Sequence, residues 1–205
     1  MKTSLITTFL LTAASLSYAD WPRWRGANHD DHSPDTGLKK SWGDAGPSRL
    51  WLNEDVGLGY SGVSIVGDTL YTMGSRDAVE YVIAVDVNTG KEKWSAEAGP
   101  LLTNGWGDGP RSTPTVDGGR VYAMSGKGHL VCLNAEDGSK VWKKTMDDFG
   151  GKLPGWGYTE SVLVDENRVV CTPGGAQGTM IAFNKSDGAT LWQSSGWTDP
   201  AQYAS

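Results

Sequence analysis

Two cysteines, three phenylalanines and three histidines are all that 205 residues carry of these types. So few thiols cannot build the disulfide framework of a small stapled domain. Lys and Arg number 18 but nowhere cluster, so no stripe could track a phosphate backbone, and nucleic acid is not an expected partner. Helix-propagating runs of Ala, Leu, Glu and Lys are nearly absent, which excludes a coiled coil or helical bundle. After the first nineteen residues no apolar run approaches the roughly 20 residues that span a bilayer, so no transmembrane segment is expected. A Gly-x-Ser-x-Gly nucleophile elbow and an Asp-x-Asp-x-Asp-Gly calcium loop are both missing.

Glycine and tryptophan are abundant instead, with 28 and 10 copies. Glycine at that level marks many tight turns, and the chain reads as all-β. The net charge of −6 favours solubility and disfavours anionic surfaces. Residues 1–19 read as a secretory signal: Lys2 is the positive start, 5–16 the apolar core, and Ser17-Tyr18-Ala19 a small-x-small cleavage site before Asp20. No cysteine follows that site, so a lipoprotein is not expected; the mature chain should be periplasmic or secreted. Export permits a disulfide. Cys132 and Cys171 either pair or act as buried small hydrophobes, and their differing places in the repeat favour the free state.

Internal repetition is the main signal. Ala84-Val-Asp-Val-Asn-Thr-Gly90-Lys-Glu-Lys-Trp94, Cys132-Leu-Asn-Ala-Glu-Asp-Gly138-Ser-Lys-Val-Trp142 and Ala182-Phe-Asn-Lys-Ser-Asp-Gly188-Ala-Thr-Leu-Trp192 superimpose. The shared pattern is a small residue, then Asp or Asn two positions on, Gly four further and Trp four further again. The tryptophans are 48 and then 50 residues apart. Asp86, Asn134 and Asn184 can bond the turn backbone, and Gly90, Gly138 and Gly188 can take positive φ. Apolar runs at 81–85, 130–133 and 180–183 precede the turn. Further strand pairs lie upstream at 63–66 with 70–73, 113–116 with 121–124, and 162–164 with 169–172. Four antiparallel strands in about 50 residues are one propeller blade, and a blade must stack on neighbours to bury its faces.

This pattern resembles the tryptophan-docking motif of the PQQ-like, quinoprotein-type and BamB-like β-propellers, and the resemblance covers residues 20–205. Asp20-Trp-Pro-Arg-Trp-Arg-Gly26 is similar to the mature start of exported members. The resemblance implies that Trp94, Trp142 and Trp192 pack between blades near the motif glycines. It also implies a ring of roughly seven or eight blades. The chain would then divide into a leader at 1–19, an N-terminal segment at 20–56 and blades at 57–205. Leu50-Trp51-Leu52 reads as an orphan outer strand, and Tyr203 begins a fourth blade, so about half of a longer protein is expected. An incomplete ring leaves apolar faces in water, and such a piece should self-associate.

The most distinctive loops precede the first strand of a blade: Gly105-Trp-Gly-Asp-Gly-Pro-Arg-Ser112 and Gly155-Trp-Gly-Tyr-Thr-Glu-Ser161. Trp106, Trp156 and Tyr158 offer flat faces, Asp108 and Glu160 acceptors, and Arg111 a planar fork. Together they would bind an envelope protein or a small molecule on the propeller funnel. Equally, the rings could plug gaps between blades while the charges cap turns. His29-Asp30-Asp31-His32 carries ligand types for a metal, but adjacent residues in a polar loop converge poorly on one ion, and a solvated loop is expected.

Two functions follow from the resemblance. One is a non-catalytic binding or assembly scaffold of the envelope, without cofactor. The other is a PQQ-dependent oxidoreductase with quinone and calcium on the axis. Such enzymes usually carry an adjacent Cys pair, which this sequence lacks.

Overall fold

The computed structural model describes residues 19–203, so the expected leader lies, but for Ala19, outside the described residues. Three four-stranded antiparallel sheets follow one another along the chain. The first holds β1 (Ser64–Val66), β2 (Thr69–Arg76), β3 (Val79–Asp86) and β4 (Glu92–Pro100). The second holds β5 (Thr115–Asp117), β6 (Arg120–Met124), β7 (His129–Asn134) and β8 (Lys140–Thr145). A short 3₁₀ turn, Met146–Phe149, follows it. β9 (Leu163–Asp165), β10 (Arg168–Cys171), β11 (Ile181–Asn184) and β12 (Thr190–Gln193) form the third. Strand order equals chain order in every sheet, and of the first strands β1 neighbours β5 and β5 neighbours β9. These are three blades of an incomplete β-propeller. No helix among the described residues is long and apolar enough to cross a membrane.

Burial follows position in the blade. In β7 the sequence His-Leu-Val-Cys-Leu-Asn is buried throughout its middle, because blades cover both of its faces. Strands covered on two sides are continuously apolar rather than alternating. The outermost β12 is mostly exposed. One core layer lies between the first two blades around Tyr71, Val82, Val121 and Leu133. The other lies between the second and third, around Met124, Leu130, Trp142, Ile181 and Phe183. Both thiols are free and buried there.

The repeated motif is a capped turn followed by a bulge. Asp86 Oδ1 accepts from the backbone N–H groups of Asn88 and Thr89 at 3.0 and 2.8 Å, and Asn134 and Asn184 do the same for Glu136 and Ser186. Gly90, Gly138 and Gly188 sit at φ 70, 71 and 73°, where a side chain is strained. The small residue of the motif faces the tryptophan across the ladder: Ala84 opposite Trp94, Cys132 opposite Trp142, Ala182 opposite Trp192. Each register then slips by a bulge at the next residue.

The tryptophans reach forward to the following blade. Trp94 lies over Gly138, so close that a Cβ there would stand 2.6 Å from the ring, and its indole N–H donates to Ala135 O at 3.1 Å. Trp142 repeats this on Gly188 and Lys185 O, also at 3.1 Å. Tyr71 and Tyr122 donate to the same two carbonyls, each tilted against its tryptophan at 5.9 Å. Trp192 departs from the expectation of burial. It is 41% exposed, because no described blade lies beyond the third to cover it.

Trp51 is the unforeseen member of the series. It covers Gly90 and donates to Val87 O at 2.7 Å, the same seat that Trp94 and Trp142 occupy one and two blades on. Residues 50–52 nevertheless form no strand, since nothing described lies alongside them to complete a ladder, and Leu50 and Leu52 are exposed.

Candidate functional site

The N-terminal segment runs across the axis and stitches the innermost strands together. Asp20 accepts from the Gly67 N–H, and Trp21 exchanges two 2.8 Å backbone bonds with Ile65 of β1. Pro22 O then accepts from Val116 N–H of β5, and Arg23 Nη1 donates to Val164 O of β9 at 3.2 Å. By strand register Ile65, Val116 and Val164 are the same position in successive blades. One short segment therefore touches all three, and it climbs from the turn end of the blades to the end where their lead-in loops lie.

There it delivers Trp24 into a cleft of about 460 Å³. The other aromatic walls are Tyr60, Trp106, Trp156 and Tyr203, which come from successive lead-ins. Tyr60 crosses into the next loop, passing over Gly107, where a Cβ would collide with its hydroxyl; it donates to Trp106 O at 3.0 Å. Trp156 lies tilted against Tyr203 at 5.5 Å, and its indole N–H is buried without an acceptor. Thr113 and Ser161 occupy equivalent places in the second and third blades, and the Thr113 N–H donates to Ser161 Oγ at 2.9 Å.

Of the six residues expected to face the funnel, Trp106, Arg111 and Trp156 line the cleft, and Asp108, Tyr158 and Glu160 do not. Arg111 is a fork already half used. Its Nη1 and Nη2 donate to Gly109 O and Gly107 O at 2.6 and 2.8 Å, and its guanidinium lies over the Tyr60 ring at 5.4 Å. Asp108 caps its own loop by accepting from the Asn104 N–H at 2.9 Å. Tyr158 is buried between blades and donates to Pro173 O at 2.9 Å.

Glu160 stands where Ser61 and Ser112 stand in the other blades, and its carboxylate turns to β10's end rather than to the cleft. It accepts from the Thr172 N–H at 2.7 Å and the Thr172 hydroxyl at 3.1 Å. Burial pushes its pKa up to about 7, against the opposing pull of those two bonds. A second buried acid escaped the sequence reading. Glu80 of β3 accepts from the Leu102 N–H at 2.9 Å and from Gly126 of the next blade at 2.7 Å, and burial raises its pKa too. It pins the connector beneath the cleft.

The His29–His32 loop is exposed, with Asp31 paired to Arg25 at 2.9 Å. Among the described residues no group of three or more His, Cys, Asp or Glu is placed to hold a metal ion.

Comparison with known proteins places this geometry. The family model described as outer membrane protein assembly factor BamB matches residues 78–205. The BamB of Marinobacter adhaerens is 28% identical over 109 residues, which cover 53% of this chain and 23% of that protein. That of Yersinia pestis is 26% identical over 154 residues, 71% of this chain and 36% of the relative. The chain thus spans well under half the length of the curated relatives it matches. Among solved structures, the quinohemoprotein alcohol dehydrogenase of Comamonas testosteroni superposes on 85% of this chain and 27% of its own with a TM-score of 0.56. At 19% identity that likeness speaks for the fold alone.

Proposed function

Since the chain belongs to the family described as outer membrane protein assembly factor BamB, we propose that it is an exported, non-catalytic scaffold of the cell envelope that holds its partner in the lead-in cleft. The observation that carries this reading is the cleft itself, walled by five aromatic rings from five separate stretches of chain. Exposed aromatic surface of this kind is what partner recognition uses. Trp106 is 81% exposed, and nothing in its own fold requires an indole in water.

The quinone and calcium of the alternative, oxidoreductase reading do not fit these residues. A calcium ion needs several oxygen ligands with ionised carboxylates among them. Here Glu160 is turned away and half-neutral near pH 7, and Asp108 is spent on Asn104. A carboxylated quinone needs cationic forks, and the single cation lining the cleft, Arg111, already donates one N–H of each terminal nitrogen to a loop carbonyl. Titration with PQQ and Ca²⁺, followed by quinone absorbance and heat, should show no saturable binding at micromolar concentration. Saturable binding would replace the scaffold with the oxidoreductase.

A further inference from the structure

The geometry points to a neutral, polyhydroxylated ligand in the cleft: a glycan chain. This rests on the cleft being the binding surface of a scaffold, and it names the chemistry bound there.

Elimination narrows the class. A cation would suit an aromatic cage, but Arg111 fixes a positive charge on the wall, 5.4 Å above Tyr60. An anion would have that guanidinium as its single cation among the lining residues, and one N–H of each terminal nitrogen is already donated, to Gly109 O and Gly107 O at 2.6 and 2.8 Å. The acidic chain as a whole, at −6, repels anions further. A purely apolar ligand would leave the hydroxyls of Thr113 and Ser161 facing hydrocarbon. A neutral ligand with both apolar faces and hydroxyl edges remains.

Sugars have that construction. The axial C–H groups of a pyranose carry a slight positive charge and stack on the negative face of an aromatic ring, while the rim of hydroxyls bonds polar neighbours. Of the lining rings, Trp106, Trp24 and Tyr60 are 81, 44 and 61% exposed. Trp156 adds a further ring to the wall, tilted against Tyr203 at 5.5 Å. The volume of about 460 Å³ lies within the roughly 300–1,000 Å³ of small-ligand clefts, room for a few sugar rings at a time. Tyr60, Trp106, Trp156 and Tyr203 come from successive lead-in loops and Trp24 from the N-terminal segment, so several rings of a sugar chain could each find a stacking face.

Calorimetric titration of the whole chain with chitotetraose and with cellotetraose tests this. At least one should bind with Kd of roughly 0.1–1 mM. Tighter binding of chitotetraose shows that the cleft selects the acetamide; equal binding shows that it reads the sugar faces and hydroxyls alone. Trp106→Ala should weaken binding about tenfold or more, whereas Trp192→Ala, an exposed indole on the outer strand, should leave it unchanged. No saturation by either sugar at about ten times that range, or equal binding by Trp106→Ala, overturns the proposal. PQQ and Ca²⁺ run in the same cell separate the two failures. If sugar and quinone both fail to bind, the glycan is wrong and the scaffold stands; if the quinone binds, the scaffold itself is wrong.

Discussion

Replacing Trp142 by alanine should cost about 3–5 kcal/mol of folding stability, read as a lowered urea midpoint. The ring is 7% exposed and lies on Gly188, with Tyr122 at 5.9 Å and Phe183 at 6.4 Å. Alanine would leave a cavity between the second and third blades and remove one of the two donors to Lys185 O. The cavity cannot collapse easily, because Gly188 is held at φ 73° by the turn and offers no side chain to fill it. The same change at Trp192 should cost less than about 1 kcal/mol, since that ring is 41% exposed. Equal losses at the two positions would mean that docking onto the next blade contributes nothing.

Stability should also fall as pH rises from about 4.5 to about 7, by up to about 3 kcal/mol from Glu160 alone. Its carboxyl loses its proton near 4.5 in the unfolded chain but only near 7 in the folded one. Below 4.5 both states are protonated and this contribution is fully present. Between the two values the unfolded state ionises while the folded state cannot, and above 7 the loss is complete. Glu80, also raised by burial, acts with the same sign. The quantity to measure is therefore the difference between the protein and Glu160→Gln in urea midpoints at pH 5 and pH 8. A flatter profile in the variant is expected; an unchanged profile would show that Glu160 is ionised throughout.

The blades were legible because their signal is local. Asp86, Gly90 and Trp94 lie within nine residues, and the turn chemistry that joins them needs no tertiary partner. The seat of each tryptophan on the next blade's glycine was less so, and Trp51 shows why. It docks as the others do, but no Asp/Asn-x₃-Gly turn precedes it in the chain. The cleft was legible only in part, since its walls at Tyr60, Trp106, Trp156 and Tyr203 sit in loops of unequal length. The second lead-in is two residues longer between its Trp and the equivalent strand position, which hid the match of Thr113 with Ser161. Charge misled for a physical reason: Asp108 and Glu160 found backbone partners nearby, and a bonded carboxylate looks the same in sequence as an open one. Trp24 was out of reach altogether, because only the axial crossing of residues 20–23 brings it to the cleft.

The most direct test of the account places a photo-cross-linking residue at position 106, in the cleft, or at position 136, in the exposed motif turn at the opposite end of the second blade. Irradiation in the intact envelope should give a defined adduct from position 106 and none from position 136. Adducts from position 136 alone, or equal adducts from both, would contradict the claim that the lead-in cleft is the binding surface.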